Sequence, residues 1–148
     1  MSGALDLKVK LAVYRHFAEN GNRPAVSDVA ARAGVGADDV RGAYSRLREQ
    51  RVLVLESDGT SIRMAPPFSG VPTQHRVVSG GVSYYANCAW DALGIPAALH
   101  RDSVVHSRCD GSLEPLTLAV LERGPEARDW LFHCPLPAAK WWNDIVFT

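Results

Sequence analysis

The sequence of 148 residues lacks several features that would each mark a class of protein. No apolar run is long enough to span a membrane, so we expect no transmembrane segment. The first residues, Met-Ser-Gly and then Leu-Asp-Leu-Lys, lack the apolar centre of a secretion signal, which predicts a cytoplasmic protein. Basic and acidic residues both number 16. This balance argues against nucleic acid or a membrane surface as a partner.

Cysteine is also scarce, and the cysteines stand far apart in the sequence. There are three, Cys88, Cys109 and Cys134, an odd number that favours free thiols in a reducing compartment. No Cys-x-x-Cys or His-x-x-x-His pair is present. A structural zinc site built from these cysteines and His133 is therefore an alternative that the spacing does not favour.

Helical periodicity and turn residues predict a helical module over residues 1–64. Apolar residues recur at helical spacing in the first segment, Ser27 is the expected N-cap of a second helix, and a third begins at Ala37 or Asp38. Two short apolar runs on either side of Asp58-Gly59 predict a β-hairpin. Three helices followed by a hairpin are the element order of a winged helix.

Prolines and a glycine are concentrated after this module and predict a linker over residues 65–74. In residues 75–148, Gly80-Gly81 between two β-prone runs predicts a hairpin. A short helix follows over 86–94, closed by Gly94 and Pro96.

The remaining pattern of the second unit is mostly that of strands. Strands are expected over 103–107, 116–121 and 130–132, with a turn at Gly124-Pro125. A helix is expected over 138–144, with an extended segment at 145–147. The whole is therefore predicted to be α+β: a winged-helix-like module, then a mostly antiparallel sheet with one short helix.

Cys88-Ala89-Trp90-Asp91 is the motif that carries chemistry, because it places a thiol and an acid on one face of the predicted short helix. A thiolate is a natural ligand for soft metals, and a nearby carboxyl can carry a proton. The helix dipole would favour the thiolate of Cys88 in the first turn. The simpler reading is that Cys88 is a small core residue. Asp91 among apolar neighbours argues against that reading, since an unpaired buried carboxylate is costly.

The segment around this motif resembles the organomercurial lyase (alkylmercury lyase) family. The resemblance covers nearly the whole chain, and its most specific part is the Cys-x-x-Asp context. The matching stretches are Tyr84 to Ala97, Ser103 to Cys109, Cys134 to Pro137 and Trp141 to Thr148. Family members also begin with a winged-helix-like module, as expected here for residues 5–64.

The resemblance implies protonolysis of carbon–mercury bonds, which gives a hydrocarbon and Hg(II). Cys88 and Asp91 match the family's mercury-binding cysteine and its proton-carrying acid, while Cys109 matches a structural cysteine. We expect Tyr85, Asn87 and Trp90 to shape the substrate pocket. No organic cofactor is implied; the partners implied are the organomercurial, cellular thiols that remove Hg(II), and a mercuric reductase that receives it.

The resemblance also implies a second catalytic cysteine, which in similar sequences often follows directly after Phe-Thr. The sequence ends at Thr148 with those two residues. A chain with one thiolate at the site is expected to capture organomercurials but to cleave them slowly, because a second thiolate would donate more electron density to mercury.

Two alternatives remain open. One is a thiol-based metal or small-molecule sensor that does not catalyse and that binds DNA through the winged-helix half. The candidate recognition helix carries Arg41, Arg46 and Arg48 but also three acids, so it lacks the basic surface typical of DNA binders. The other is an enzyme of the same fold in which Cys88 attacks a different electrophile.

Overall fold

The computed structural model describes residues 2–127 and 129–147. Three helices open the chain: α1 (Ser2–Asn20), α2 (Val26–Ala33) and α3 (Ala37–Glu49). They pack against each other because each carries an apolar stripe at helical spacing. On α1 that stripe includes Val9, Val13 and Phe17, which are completely buried. Among the described residues, no helix is long and apolar enough to cross a membrane.

The start of α2 differs from the prediction. Ser27 lies inside the helix, and Ala25 occupies the N-cap position. The carboxylate of Asp28 accepts a hydrogen bond from the backbone N–H of Ala25 at 2.8 Å. An acid at the third helical position therefore fixes the first turn in place of a hydroxyl at the cap.

Two antiparallel sheets follow. The first has the order β1-β2-β3, with β1 (Val54–Leu55), β2 (Ile62–Ala65) and β3 (Phe68–Ser69). The second has the order β5-β4-β6-β7-β8, with β4 (Arg76–Ser79), β5 (Val82–Tyr85), β6 (Ser103–Arg108), β7 (Pro115–Leu121) and β8 (Gly124–Pro125). Helix α4 (Ala89–Leu99) connects β5 to β6, and a 3-10 helix spans Ala138–Asn143. The predicted α+β class is thus confirmed.

The hairpin at Gly80-Gly81 forms as predicted, with both glycines at positive φ. The predicted end of the following helix is wrong. Helix α4 continues through Gly94 and Pro96 and ends at Leu99, and its C-cap residue His100 has left-handed backbone geometry. Proline costs a helix one backbone hydrogen bond. Burial of Pro96 and of its neighbour Ile95 offsets that cost, which the local pattern could not reveal.

Three predictions near the end of the chain are also wrong. Residues 130–132 form no strand, and Leu131 is 96% exposed. The final strand is instead β8, at Gly124–Pro125, where a turn was expected. The segment 145–147 is a turn rather than extended chain. The helix expected over 138–144 is present, as a 3-10 helix over Ala138–Asn143. Residues 130–132 have side chains typical of strands but pair with none of the described strands, so strand propensity alone does not decide their structure.

The segment predicted as a linker carries packed structure. Phe68, in β3, forms an isolated bridge with Ala86. Its ring stacks on Phe17 of α1 with centroids 5.3 Å apart and contacts Tyr84 of β5 at 5.7 Å. One continuous apolar core therefore includes residues from the helices and from both sheets. The division at residues 64 and 75 stays a prediction.

Candidate active site

Cys88 occupies the N-cap position of α4, one residue before the first helical turn in which it was expected. Its backbone is extended, and its carbonyl accepts the hydrogen bond of the Ala92 N–H at 2.9 Å. The change from strand to helix is fixed here because β5 ends at Tyr85 and Ala86 is bridged to Phe68. The thiol is thus held at the junction of the sheet and the helix.

Asp91 is the third residue of α4, so the motif brings an N-cap side chain and an N3 side chain to the same helix end. The side-chain amide of Asn87 donates a hydrogen bond to the Asp91 carboxylate at 2.9 Å. Burial raises the pKa of Asp91, and the bond from Asn87 partly opposes that rise. The result is a half-buried carboxyl that can hold or release a proton.

Burial also raises the pKa of the Cys88 thiol, and the negative charge of Asp91 adds to the effect. The backbone N–H groups of Asp91 and Trp90 lie close enough to the sulfur to favour the thiolate, although neither makes a full capping hydrogen bond. Because burial is the largest influence, Cys88 loses its proton most readily when a base takes it.

Cys88 and Asp91 both line a cavity of about 520 Å³, called here the Cys88 cavity. Asn87 and Trp90, two of the predicted pocket residues, also line it. Trp90 is exposed, and its ring lies 5.8 Å from that of Phe132 between centroids. The other lining residues are Met64, Pro66, Gln74, His75, Ala89, Asp110, Phe132, His133, Cys134, Pro135, Trp141, Trp142, Ile145, Val146 and Phe147.

Tyr85 was predicted to shape the pocket but is not among these lining residues. Side chains alternate along β5, and Tyr84 takes the inward position in the core. The hydroxyl of Tyr84 donates to the carbonyl of Ala18 in α1. Tyr85 therefore faces away from that core, and its placement gives no support to a role in substrate binding.

Tyr14 is a residue near the site that sequence reasoning missed. Its hydroxyl donates to the Pro66 carbonyl at 3.0 Å. Burial, and secondarily the charge of Asp91, raise the pKa of Tyr14 to about 12. The helical spacing of α1 predicted only that Tyr14 lies on an apolar face, and no local pattern relates it to Asp91.

Cys134 also reaches the Cys88 cavity. It is exposed, and its thiol donates to the Leu136 carbonyl at 2.8 Å. The zinc alternative required Cys109 and His133 as well. Within the described residues, no group of three or more His, Cys, Asp or Glu side chains is arranged to hold a metal ion. The four-residue zinc site is therefore not formed.

A second, mainly apolar chamber of about 400 Å³ adjoins the Cys88 cavity. The two spaces share the walls formed by His75, Ala89, Asp110, Phe132 and His133. Leu93, Val105, Leu116, Leu118, Trp130 and Leu131 make most of the chamber apolar. The site therefore has room for an apolar group beside the thiol.

Cys109 lines this apolar chamber and lies at the start of a tight turn. The hydroxyl of Ser112, followed by the backbone N–H groups of Ser112 and Gly111, lowers the pKa of the Cys109 thiol. Cys109, to which the resemblance gives a structural role, therefore ionises more easily than Cys88. No local sequence signal had indicated this difference.

A thiol beside a half-buried carboxyl is an arrangement that could bind a soft metal and supply a proton. The family model described as alkylmercury lyase, MerB, matches residues 68–148, more than half of the chain. The protein therefore belongs to the alkylmercury lyase family.

Among solved structures, the chain is similar to the one titled "Crystal structure of the mercury-bound form of MerB2". The TM-score is 0.64 at 24% sequence identity. The match covers 81% of this chain and 59% of that one, so the chain spans less than two thirds of the length of this neighbour. At this identity the likeness shows a common fold. A search of curated proteins gives no match.

Proposed function

We propose that this protein cleaves carbon–mercury bonds by protonolysis, releasing a hydrocarbon and leaving Hg(II) on the protein. The observation that carries the proposal is that Cys88, at the N-cap of α4, and Asp91, in its first turn, line one cavity. Membership of the alkylmercury lyase family supports it. Cys88 is the mercury ligand, and Asp91 is the proton carrier and a secondary contact for mercury.

The first step is capture of an organomercurial of the form R–Hg–X, where X is a halide. Asp91 accepts the proton of the Cys88 thiol, and the thiolate forms a sulfur–mercury bond. Because burial raises the pKa of the thiol, a neighbouring base assists this step, although solvent can also take the proton. Mercury is the substrate's own atom and no oxidation occurs.

In the second step the proton held by Asp91 passes to the carbon bound to mercury. The electron pair of the carbon–mercury bond becomes that of the new carbon–hydrogen bond. The products are R–H and Hg(II) bonded to Cys88 and X, so the thiol proton ends on carbon and Asp91 is again ionised. A half-buried carboxyl with a raised pKa holds a proton more readily than an ordinary aspartate, which suits it to this transfer.

The apolar chamber offers space for the organic group R. Its aliphatic and aromatic walls adjoin the cavity that contains Cys88. An aryl or bulky alkyl group on mercury could therefore leave water and pack against these apolar walls. The proposed reaction needs no organic cofactor. Cellular thiols, as soft competing ligands, would remove Hg(II), and a mercuric reductase would receive it in the cytoplasm.

We further infer that residues 1–64 form a winged-helix-like module used for packing rather than for binding nucleic acid. The element order supports the first part of this inference. Ion pairing supports the second: Arg46 on α3 binds the buried carboxylate of Asp6 at 2.7 Å, and Arg41 binds Asp38 at 2.7 Å. Arginines paired in this way leave little positive charge for a phosphate backbone.

The test is to incubate the protein with phenylmercuric chloride and excess thiol in D₂O and to analyse the vapour by mass spectrometry. Protonolysis through Asp91 should give benzene carrying one deuterium, because thiol and carboxyl protons exchange with solvent. No benzene, or benzene without deuterium, would contradict the proposal. The same assay on a chain with one cysteine added after Thr148 tests the expected benefit of a second thiol.

A further inference from the structure

The side chain of Asn87 joins the proton carrier to the protein core. Its amino group donates to the carbonyl oxygen of Phe68 at 3.2 Å and to the carboxylate of Asp91 at 2.9 Å. Both partners only accept hydrogen bonds when the carboxylate is ionised, so the NH₂ end of the amide must face them. The orientation of the amide is therefore fixed by its partners.

The Phe68 end of this connection is firmly held. Phe68 is buried, and its ring contacts the rings of Phe17 and Tyr84. Its backbone is bridged to Ala86, the residue immediately before Asn87. An amide anchored to such a carbonyl has little freedom to rotate, so it presents its second N–H in a fixed direction towards Asp91.

The opposite end of the Asn87 side chain has no hydrogen-bond partner in the part of the chain that the structure describes. Its carbonyl oxygen is buried and accepts no hydrogen bond from the described residues. Burying an acceptor without a partner is unfavourable. Asn87 therefore contributes to this site through its two N–H groups. Of their two acceptors, Phe68 belongs to the core and Asp91 to the proposed active site.

We propose that Asn87 is a positioning residue that holds Asp91 ionised and oriented, ready to accept the proton of Cys88. This inference rests on the proposed function and deepens it. A half-buried carboxyl that accepts no hydrogen bond favours its protonated form. A protonated Asp91 could not accept the proton of the Cys88 thiol. Asn87 occupies one carboxylate oxygen and leaves the other without a hydrogen bond from the described residues.

Replacing Asn87 by leucine tests the proposal, because leucine has nearly the same size and shape but no N–H groups. Two quantities are measured against pH: the rate of benzene formation from phenylmercury, and the ¹³C NMR signal of the Asp91 carboxyl, assigned with Asp91→Asn. In Asn87→Leu we expect the Asp91 titration and the acidic limb of the rate profile to move together to higher pH. At neutral pH the rate should fall by about tenfold, as for other residues that orient a catalytic group.

Gln74→Leu is the matched control, since it makes the same amide-to-leucine change in the same cavity. Gln74 donates to Asp110 at 3.3 Å and makes no hydrogen bond to Asp91. Its replacement should leave the Asp91 titration in place. Asn87→Ser is prepared in parallel and should behave like Asn87→Leu, because serine is too short to connect Phe68 with Asp91; it gives the answer if the leucine variant does not fold.

An Asp91 titration that stays at the wild-type pH in the folded Asn87 variant would overturn the proposal. So would a rate that falls equally at every pH, as a merely structural role predicts. The NMR titration needs no turnover. A wild-type protein that makes no benzene would therefore overturn the proposed function, while a shifted Asp91 titration would still establish that Asn87 keeps this carboxyl ionised.

Discussion

The start of α4 and the turn after β6 each hold a half-buried cysteine, but the two surroundings shift the thiol pKa in opposite directions. At Cys88, burial and the adjacent Asp91 raise the thiol pKa. At Cys109, the hydroxyl and N–H of Ser112 lower it. Ionisation alone would therefore single out Cys109 as the reactive residue.

The comparison teaches that ease of ionisation and suitability for protonolysis are separate properties. The groups that lower the pKa of the Cys109 thiol are hydrogen-bond donors, and none of these donors is a base that could keep the proton for a substrate. At Cys88, the carboxyl of Asp91 in the first turn of the same helix can accept the thiol proton and later transfer it to the substrate carbon. The proposed reaction needs the second arrangement, because the proton must return to the substrate.

Exchanging each thiol for a hydroxyl should have the largest effect and tests the comparison directly. Cys88→Ser should lower the rate of benzene formation from phenylmercury at least about 1,000-fold, as expected for loss of a nucleophile. Cys109→Ser should retain most of the activity. If the order of the two variants were reversed, the easily ionised thiol would be the reactive one and the assignment of Cys88 would be wrong.

Asp91→Asn should have the next largest effect, a loss of about 10²- to 10⁴-fold in the rate of carbon–mercury cleavage. Capture should survive, because the sulfur of Cys88 remains. A single-turnover benzene assay measures the first quantity. Protection of Cys88 from alkylation after one equivalent of phenylmercury, followed by peptide mass spectrometry, measures the second. Equal loss of capture and cleavage would show that Asp91 acts on mercury binding rather than on proton transfer.

Alkylation by iodoacetamide should show the opposite thiol pKa shifts without any mercury chemistry. Cys109 should be modified at lower pH than Cys88, as followed by peptide mass spectrometry. In Asp91→Asn the negative charge beside Cys88 is lost, so its pKa should fall and its alkylation at neutral pH should become faster. Slower alkylation of Cys88 in that variant would contradict the electrostatic account.

Ser112→Ala should have the smallest effect, a modest slowing of Cys109 alkylation near neutral pH. The hydroxyl that most favours the Cys109 thiolate is removed, so the pKa of that thiol should rise. Ser107→Ala is the matched control, because Ser107 lines the same apolar chamber but pairs with His75 at 2.7 Å. Equal slowing in both variants would indicate a general change in access rather than loss of one hydrogen bond.

Local patterns predicted what depends on neighbours in sequence. The apolar periodicity of α1 and the Gly80-Gly81 hairpin were confirmed, because each is specified within a few residues. The Cys88–Asp91 spacing indicated proximity, although the geometry is that of a cap and a first turn rather than of two helical residues. The resemblance to alkylmercury lyases was confirmed by the match over residues 68–148.

The rest depended on tertiary contacts. Pro96 continues a helix because burial outweighs its helix-breaking tendency. Residues 130–132 pair with none of the described strands, and pairing depends on segments distant in sequence. The position of Tyr14 near Asp91 depends on the packing of distant segments. So does the orientation of the Asn87 amide, which is hydrogen-bonded to Phe68. Tyr85 is close to Cys88 in sequence, yet it does not line the Cys88 cavity.

The stacking of Phe68 on Phe17 bears on how this family segment is handled in the laboratory. Residues 68–148 match the family model, but Phe68 shares its core with helices that precede the match. A fragment cut at that boundary, or grafted onto another protein, would expose aromatic surface and loosen the carbonyl that anchors Asn87. Modular exchange of the segment that matches the family model should therefore carry α1 with it.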